Sequence, residues 1–159
     1  MSQQVLEVLK QRFGSAILET HSLFGDDTAV VEADKWFEIA RFLKTDSRTS
    51  MTMFVDLCGV DYPDREPRFE VVMHLRSLDR GHRVRIKTRV GDAYGESTEI
   101  DSITPVWQGA NWFEREAFDM FGIVFEGHPD LRRILLDDDW VGHPLLKSYA
   151  VDTPYPPYR

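Results

Sequence analysis

The sequence predicts an α+β fold in two layers, with helices packed on one face of a mixed, mostly antiparallel sheet and a long irregular C-terminal tail. Three observations predict it. Residues 69–76 and 83–90 alternate apolar and polar side chains, the period of a strand with one buried face. Residues 3–13, 35–44 and 111–121 instead carry apolar residues at helical spacing. Beyond residue 125 the periodicity stops, and most of the eight prolines fall there. The expected organisation is one α+β domain over residues 1–125 and an extended tail over 126–159 that docks on partners.

Each element has a local reason. Ser2 is placed to cap the first helix, Val5, Leu6, Leu9 and Phe13 form its inner face, and Gly14 ends it. Residues 15–20 and 28–32 read as short strands, and Gly25-Asp26-Asp27 between them is turn chemistry. Asp34 is placed to cap the second helix, with Trp36, Phe37, Ala40 and Leu43 inward. In the sheet, Met51, Met53, Val55 and Leu57 alternate with Thr52, Phe54 and Asp56. Phe69, Val71, Met73 and Leu75 alternate with Glu70, His74 and Arg76. Val84, Ile86 and Val90 are expected inside, Arg83, Arg85, Lys87 and Arg89 outside, with Asp79-Arg80-Gly81 turning the hairpin. In the third helix Asn111 takes the capping position and Glu114 stands three residues on, as in a capping box. Trp112, Phe113, Ala117, Met120 and Phe121 make a broad apolar face, and Gly122 is the stop.

A chain of 159 residues suits one domain. At this size it buries about 68–70% of the surface its unfolded form exposes, so a core needs no disulfide or metal. The composition, 42% hydrophobic and 29% charged, is that of a soluble globular protein. No run of about 18 apolar residues exists, so no transmembrane helix is expected. The polar N-terminus lacks the pattern of a signal peptide, so the chain is expected to stay where it is made. Cys58 is the single cysteine, which excludes an internal disulfide and a Cys-based zinc or iron–sulfur site; any redox centre sits in another protein. A net charge of −8 argues against bulk nucleic-acid binding and against adhesion to an anionic membrane face.

Several residues invite a chemical reading. Glu116 falls between Trp112 and Met120 on the apolar side of its helix, so it is expected to need a cationic partner, and an internal or interface salt bridge outweighs a catalytic carboxylate. Arg115 and Asp119, four apart, are expected to pair along the helix surface. His128, His143 and Asp137-Asp138-Asp139 supply metal-ligand types, but their spacing matches no metal template. Arg132 and Arg133 are suited to pair with carboxylates of the third helix or of a partner. The basic strand face is equally a dock for an acidic partner and an ordinary solvated face offset by Glu70. Cys58 reads as a small core residue. Gly91-Asp92-Ala93-Tyr94-Gly95 is a loop without a nucleotide-binding pattern, and no hydrolase motif appears. The apolar content of the tail (Leu131, Ile134, Leu135, Leu136, Trp140, Leu145, Tyr149) argues for burial against a partner.

The run Ala110-Asn111-Trp112-Phe113-Glu114-Arg115-Glu116-Ala117-Phe118-Asp119-Met120-Phe121-Gly122-Ile123 is very similar to the signature of the thirty-kilodalton subunit family of respiratory NADH:quinone oxidoreductase, complex I. The resemblance continues through Phe125 to Leu135, then Asp139-Trp140 and Gly142-His143-Pro144-Leu145. Upstream, Asp56-Leu57, Asp61-Tyr62-Pro63 and Arg68-Phe69-Glu70-Val71-Val72 also look like that family.

The resemblance implies a scaffold subunit of the peripheral arm, on the cytoplasmic face of the bacterial inner membrane. It would hold no flavin and no iron–sulfur cluster, and would be inactive alone. The whole complex uses FMN, iron–sulfur clusters, NADH and quinone. The family packs against the subunit that helps form the quinone site, and its C-terminal segment lies over neighbouring subunits. By carry-over, Glu114, Arg115, Glu116, Asp119, His128, Arg132, Arg133, His143 and Lys147 would be assembly residues. The chain departs from the family at Leu146 and Ser148, where Arg and Asp are usual. One alternative is the equivalent subunit of a related membrane complex fed by reduced deazaflavin, ferredoxin or a hydrogenase. A more distant one is a free-standing metal-dependent enzyme using His128, His143 and the aspartate run.

Overall fold

In a computed structural model of the chain, which describes residues 2–92 and 98–154, α1 spans Gln3–Phe13 and buries Val5, Leu6 and Leu9. Part of the 91–95 loop and residues 155–159 of the tail lie outside the described residues. Ser2 precedes α1 but does not cap it with its side chain; its hydroxyl instead accepts the Arg83 N–H at 2.9 Å, tying α1 to the sheet. β1 (Ile17–Leu23) and β2 (Asp26–Val31) form a hairpin whose turn is Phe24-Gly25. Both turn residues have positive φ, 54° and 86°, as a two-residue turn of matching twist requires, so Asp26 and Asp27 begin the strand. α2 (Trp36–Thr45) buries Trp36, Ile39, Ala40 and Leu43. Phe37 is only half-buried, and Asp34 lies in the preceding short turn and makes no cap.

β3 (Met53–Asp61), β4 (Phe69–Arg76) and β5 (Arg83–Val90) complete a five-stranded sheet in the order β1-β2-β5-β4-β3. β2 and β5 run parallel and the other neighbours antiparallel, the mixed sheet the sequence predicts. β4 and β5 follow their alternation. Phe69, Val71, Met73 and Leu75 face Val84, Ile86 and Val90 in one core, which α1, α2 and the third helix cover. Thr88 interrupts that row at no cost in satisfied polarity, because its hydroxyl donates to the Val31 carbonyl at 2.9 Å.

β3 does not follow its alternation. The register with β4 shifts between Phe54 and Asp56, leaving Val55 without a cross-strand partner. Met53 and Val55 therefore face outward at 43% and 44% exposure, while Phe54 turns in against Trp107 and Phe113. β1, the other edge, carries an irregularity between Ile17 and Glu19. Bulges on both edges discourage strand addition.

The open face of the sheet is ion-paired within itself. Arg83 and Arg85 meet Asp26, Lys87 meets Glu70 at 2.7 Å, and Arg89 meets Glu19. Glu70 offsets this basic face, as the solvated reading of it expects. Cys58 lies exposed on it, not in the core. Partial desolvation and then the Asp56 charge push its thiol up, away from the reactive thiolate.

Two short parallel strands, β6 (Glu99–Asp101) and β7 (Val124–Glu126), flank α3 (Ala110–Phe121), which packs on β3. Gly122 ends α3 in the left-handed region, φ 79°, as expected. Gly109 holds the first capping position, so Asn111 lies inside the helix.

Gly59 of β3 lets α3 approach, since a Cβ there would stand 2.9 Å from the Phe121 ring and 3.0 Å from Ile123. Overpacking of this kind costs about 1–3 kcal/mol. Gly59→Val is expected to lower the urea-unfolding free energy by that amount, with Val60→Ala as a milder comparison.

Candidate interface on the third helix and the tail

The acids of α3 face in directions the apolar pattern does not predict. Glu114 is fully buried. It accepts from the Ser102 hydroxyl at 2.6 Å, the Ile103 N–H at 2.7 Å and the Thr104 hydroxyl at 3.0 Å. It is thus no capping-box residue; it reaches sideways to fix the 102–104 loop. Burial pushes its carboxyl up, and the three donors only partly oppose that. Glu116, expected among apolar neighbours, is exposed and makes no hydrogen bond or ion pair among the described residues. Trp112 is exposed as well, at 61%. The helix is rotated so that Ala110, Glu114, Ala117 and Met120 are buried, because the loop and the tail offer donors that an apolar partner would not.

Asp119 is the second fully buried acid, and the tail wraps around it. Its Oδ1 accepts from Arg133 at 2.7 Å, and its Oδ2 accepts the N–H groups of Ile134, Leu135 and Leu136 at 3.0, 2.8 and 3.0 Å. Burial alone would raise its carboxyl, but the Leu136 N–H, the Arg133 guanidinium and the other two amides outweigh burial and hold it low. Arg133 continues to the carbonyls of Trp140 and Gly142 and so closes the loop between them. Arg115 does not pair with Asp119. It donates to the carbonyls of Arg132 and Arg133 and stacks over the Trp112 ring. Arg132 pairs with exposed Asp130 and, among the described residues, meets no helix carboxylate.

The two tail histidines bond backbone carbonyls of α3. The His128 ring meets the Asn111 carbonyl at 3.2 Å, and His143 donates from Nδ1 to the Asp119 carbonyl at 2.8 Å. Leu145 N–H bonds the Met120 carbonyl. The two histidines therefore dock on separate turns of α3, and among the described residues no three His, Cys, Asp or Glu side chains gather as metal ligands. Lys147 acts through its main chain, donating to Asp61 Oδ2 at 2.7 Å. Asp61 is also held in a buried two-point pair by Arg68, at 2.7 and 2.8 Å, and Arg68 reaches Ser148 Oγ at 3.3 Å. Asp61, Arg68 and the 102–104 loop are the site residues that sequence reading passes over. Asp61 and Arg68 stand inside family-like stretches, but nothing local links them to residue 147. The tail as far as Tyr149 is thus folded back on its own domain. Leu135, Val141 and Leu145 remain exposed at 62%, 85% and 49%.

Asp119→Ala is expected to reduce stability by about 3–5 kcal/mol, as for one partner lost from a buried charged pair; chemical unfolding checks this. Because its folded carboxyl lies below 3.8, the contribution of Asp119 is present above that pH and disappears only as the pH falls through the lowered value. Glu114 runs the other way. Its carboxyl is raised above 4.5, so the folded chain holds that proton more tightly and stability declines as the pH rises through that window. Glu114→Gln is expected to flatten this dependence in melting curves taken across the acidic range.

Comparison with known proteins fits this geometry. The model of the respiratory-chain NADH dehydrogenase 30 kDa subunit family matches residues 29–155. The corresponding NADH-quinone oxidoreductase subunit of Azorhizobium caulinodans is 47% identical over 86% of the chain, and the chain spans 63% of that protein. Its counterpart in Geotalea uraniireducens is 44% identical over 92% of the chain, which spans 86% of it. A chain of the membrane-bound sulfane sulfur reductase, an archaeal respiratory membrane complex, shares the fold. Its TM-score is 0.77 at 22% identity, covering 94% of this chain and 85% of that one. By the family match across most of its length, carrying the α3 signature and the tail strapped over it, the chain belongs to the family of the 30 kDa subunit of respiratory NADH dehydrogenase.

Proposed function

We propose that the chain is a cofactor-free assembly subunit in the peripheral arm of a proton-translocating NADH:quinone oxidoreductase, without turnover of its own. It supports electron transfer from NADH to quinone by holding neighbouring subunits in place, the quinone-site subunit above all. FMN and iron–sulfur clusters belong to those neighbours, since one exposed cysteine offers no cluster site here. The observation that carries this reading is how α3 divides its side chains. Glu114, Arg115 and Asp119 are satisfied within the chain, whereas Trp112 and Glu116, one turn apart, face solvent. Exposed Leu135, Val141 and Leu145 extend the apolar surface along the tail, and residues 126–159 are its docking segment. Exposed tryptophan beside a fixed arginine is the composition of a binding hot spot. Glu116 supplies the charge that a partner arginine or lysine would meet. Arg115, Asp119, His128, Arg133, His143 and the Lys147 main chain serve assembly by shaping this surface, and Arg132 lies exposed at its margin.

Among the described residues no helix is long and apolar enough to cross a membrane, so contact with the cytoplasmic face of the inner membrane runs through other subunits. The likeness to the sulfane sulfur reductase chain keeps a second reading in view, the equivalent subunit of a related complex with another electron donor. A pull-down from native membranes through a tag on Met1, with mass spectrometry and an NADH:quinone assay, separates the two. Iron–sulfur and quinone-site subunits with NADH oxidation support the proposal. The same subunits without it favour the second reading, and a solitary protein sinks both.

Glu116→Ala is expected to weaken docking by about 2–5 kcal/mol, the range for one partner of a buried interfacial charge pair. Less assembled complex should appear in the membrane, with turnover per complex and the melting of the isolated chain unchanged. Normal yield with reduced turnover would assign Glu116 a catalytic part instead.

A further inference from the structure

The tail carries the tripeptide Gly-His-Pro twice, as Gly127-His128-Pro129 and Gly142-His143-Pro144. Each glycine has a positive φ, 76° and 84°, which turns the chain back toward α3. Each histidine then places a ring nitrogen on a main-chain carbonyl of α3, His128 on Asn111 and His143 on Asp119. The tail is therefore stapled at both ends of the helix, and the Asp119 bonds to residues 134–136 lie between.

The two staples differ in their proton requirement. His128 has both nitrogens committed: Nδ1 accepts the Asp130 N–H at 3.0 Å, so the proton must sit on Nε2, facing the Asn111 carbonyl. That arrangement exists only in the neutral ring. In the second staple Nδ1 donates to the Asp119 carbonyl, and the ring packs against Phe118 and over Gly122. Among the described residues no donor is bonded to that ring, so a charged ring keeps the same bond.

We infer that the first staple is a proton-operated release for the start of the tail, whereas the second holds in either protonation state. A proton on His128 Nδ1 turns an acceptor into a donor pointed at the Asp130 N–H, and that bond must break. The charged ring has another acceptor at hand, because Glu114 Oε2 lies 3.9 Å from Nε2. The charged groups facing the ring are Glu114 and Arg115 of α3 and Asp130 of the tail itself. Glu114 is already engaged by Ser102, Ile103 and Thr104. Protonation thus exchanges partners: the ring turns toward Glu114 and frees the 128–130 turn. Burial holds the ring below its ordinary 6.5, so the neutral staple persists at neutral pH and is lost as the pH falls below that value. A tail that loosens at one end would change the presented surface while its Asp119 anchor stays in place.

Amide hydrogen exchange on the full chain tests this at about pH 7 and about pH 5, with rates corrected for intrinsic exchange. The Asp130 amide is expected to lose protection at the lower pH. The amides of residues 134–136 are expected to be unchanged. In His128→Asn, whose side-chain oxygen accepts at either pH, Asp130 protection is expected to be the same at both. Equal Asp130 protection at both pH values in the wild type overturns the inference, as does an equal loss at 134–136 or an unchanged pH dependence in the variant. Independently of how the variant folds, ring-nitrogen NMR of the wild type at neutral pH must place the His128 proton on Nε2; a proton on Nδ1 overturns it.

Discussion

The structure turns on the Asp119 carboxylate. A carboxylate taken out of water costs several kcal/mol, and the cost is offset only when its lone pairs are filled. Here an Arg133 guanidinium and three consecutive amides fill them. Those amides belong to the same tail that buries the acid, so each part satisfies a polar need of the other. The helix would otherwise carry a solvated aspartate, and the tail would have no reason to lie down. Arg133 extends the arrangement, because its second nitrogen gathers the carbonyls of Trp140 and Gly142. One acid therefore orders a loop that contains no regular secondary structure.

The same requirement sets the rotation of α3 and, through it, which residues are left over. Hydrophobic periodicity assumes that charge points outward, and in α3 two acids point inward because polar partners wait for them. Once Glu114 and Asp119 are turned in, Trp112 and Glu116 must turn out. An exposed tryptophan in an isolated subunit is thus a consequence of internal polar bonding. It sits on the helix that holds the tail, so the surface it would offer in the proposed docking is fixed on both sides. A preorganised surface loses less entropy on binding than one that must fold first.

Much of the fold was legible in the sequence, and the exceptions share a cause. Residues 69–76 and 83–90 alternate cleanly because each strand is paired on both sides and nothing interrupts the ladder. The 51–57 stretch misleads because one extra residue at Val55 reverses the faces, and no local signal marks a bulge on an edge strand. Ser2, Asp34 and Asn111 have the right chemistry for caps, yet none caps. Ser2 is taken by Arg83, far along the chain, and the helices start where the packing puts them. The site followed the same rule. Its residues could be listed from the signature, but the partners of Glu114, Asp119 and Asp61 lie 7 to 86 positions away. Pairing over such distances is a property of the fold and not of a spacing.

In the proposed docking role, residues of one signature would serve assembly by two physical routes. Glu114, Asp119, Arg133 and Asp61 act inside the chain, and their loss first disturbs the surface that a neighbour would meet. Glu116 and Trp112 contribute little to the isolated fold, and their loss leaves that surface intact but incomplete. The two routes differ in where the free energy is lost, in folding or in association, so they separate when stability of the free chain and yield of complex are measured on the same variants. Ser148 stands on the boundary between them. It meets Arg68 with a hydroxyl at 3.3 Å where the family resemblance leads one to expect a carboxylate, so among the described residues Arg68 has Asp61 as its one charge partner. Ser148→Asp would give Arg68 a second acid and fasten residues 147–148 more firmly. Residues 147 and 148 are thus both held to the domain through Asp61, the first by its own N–H and the second by its hydroxyl through Arg68.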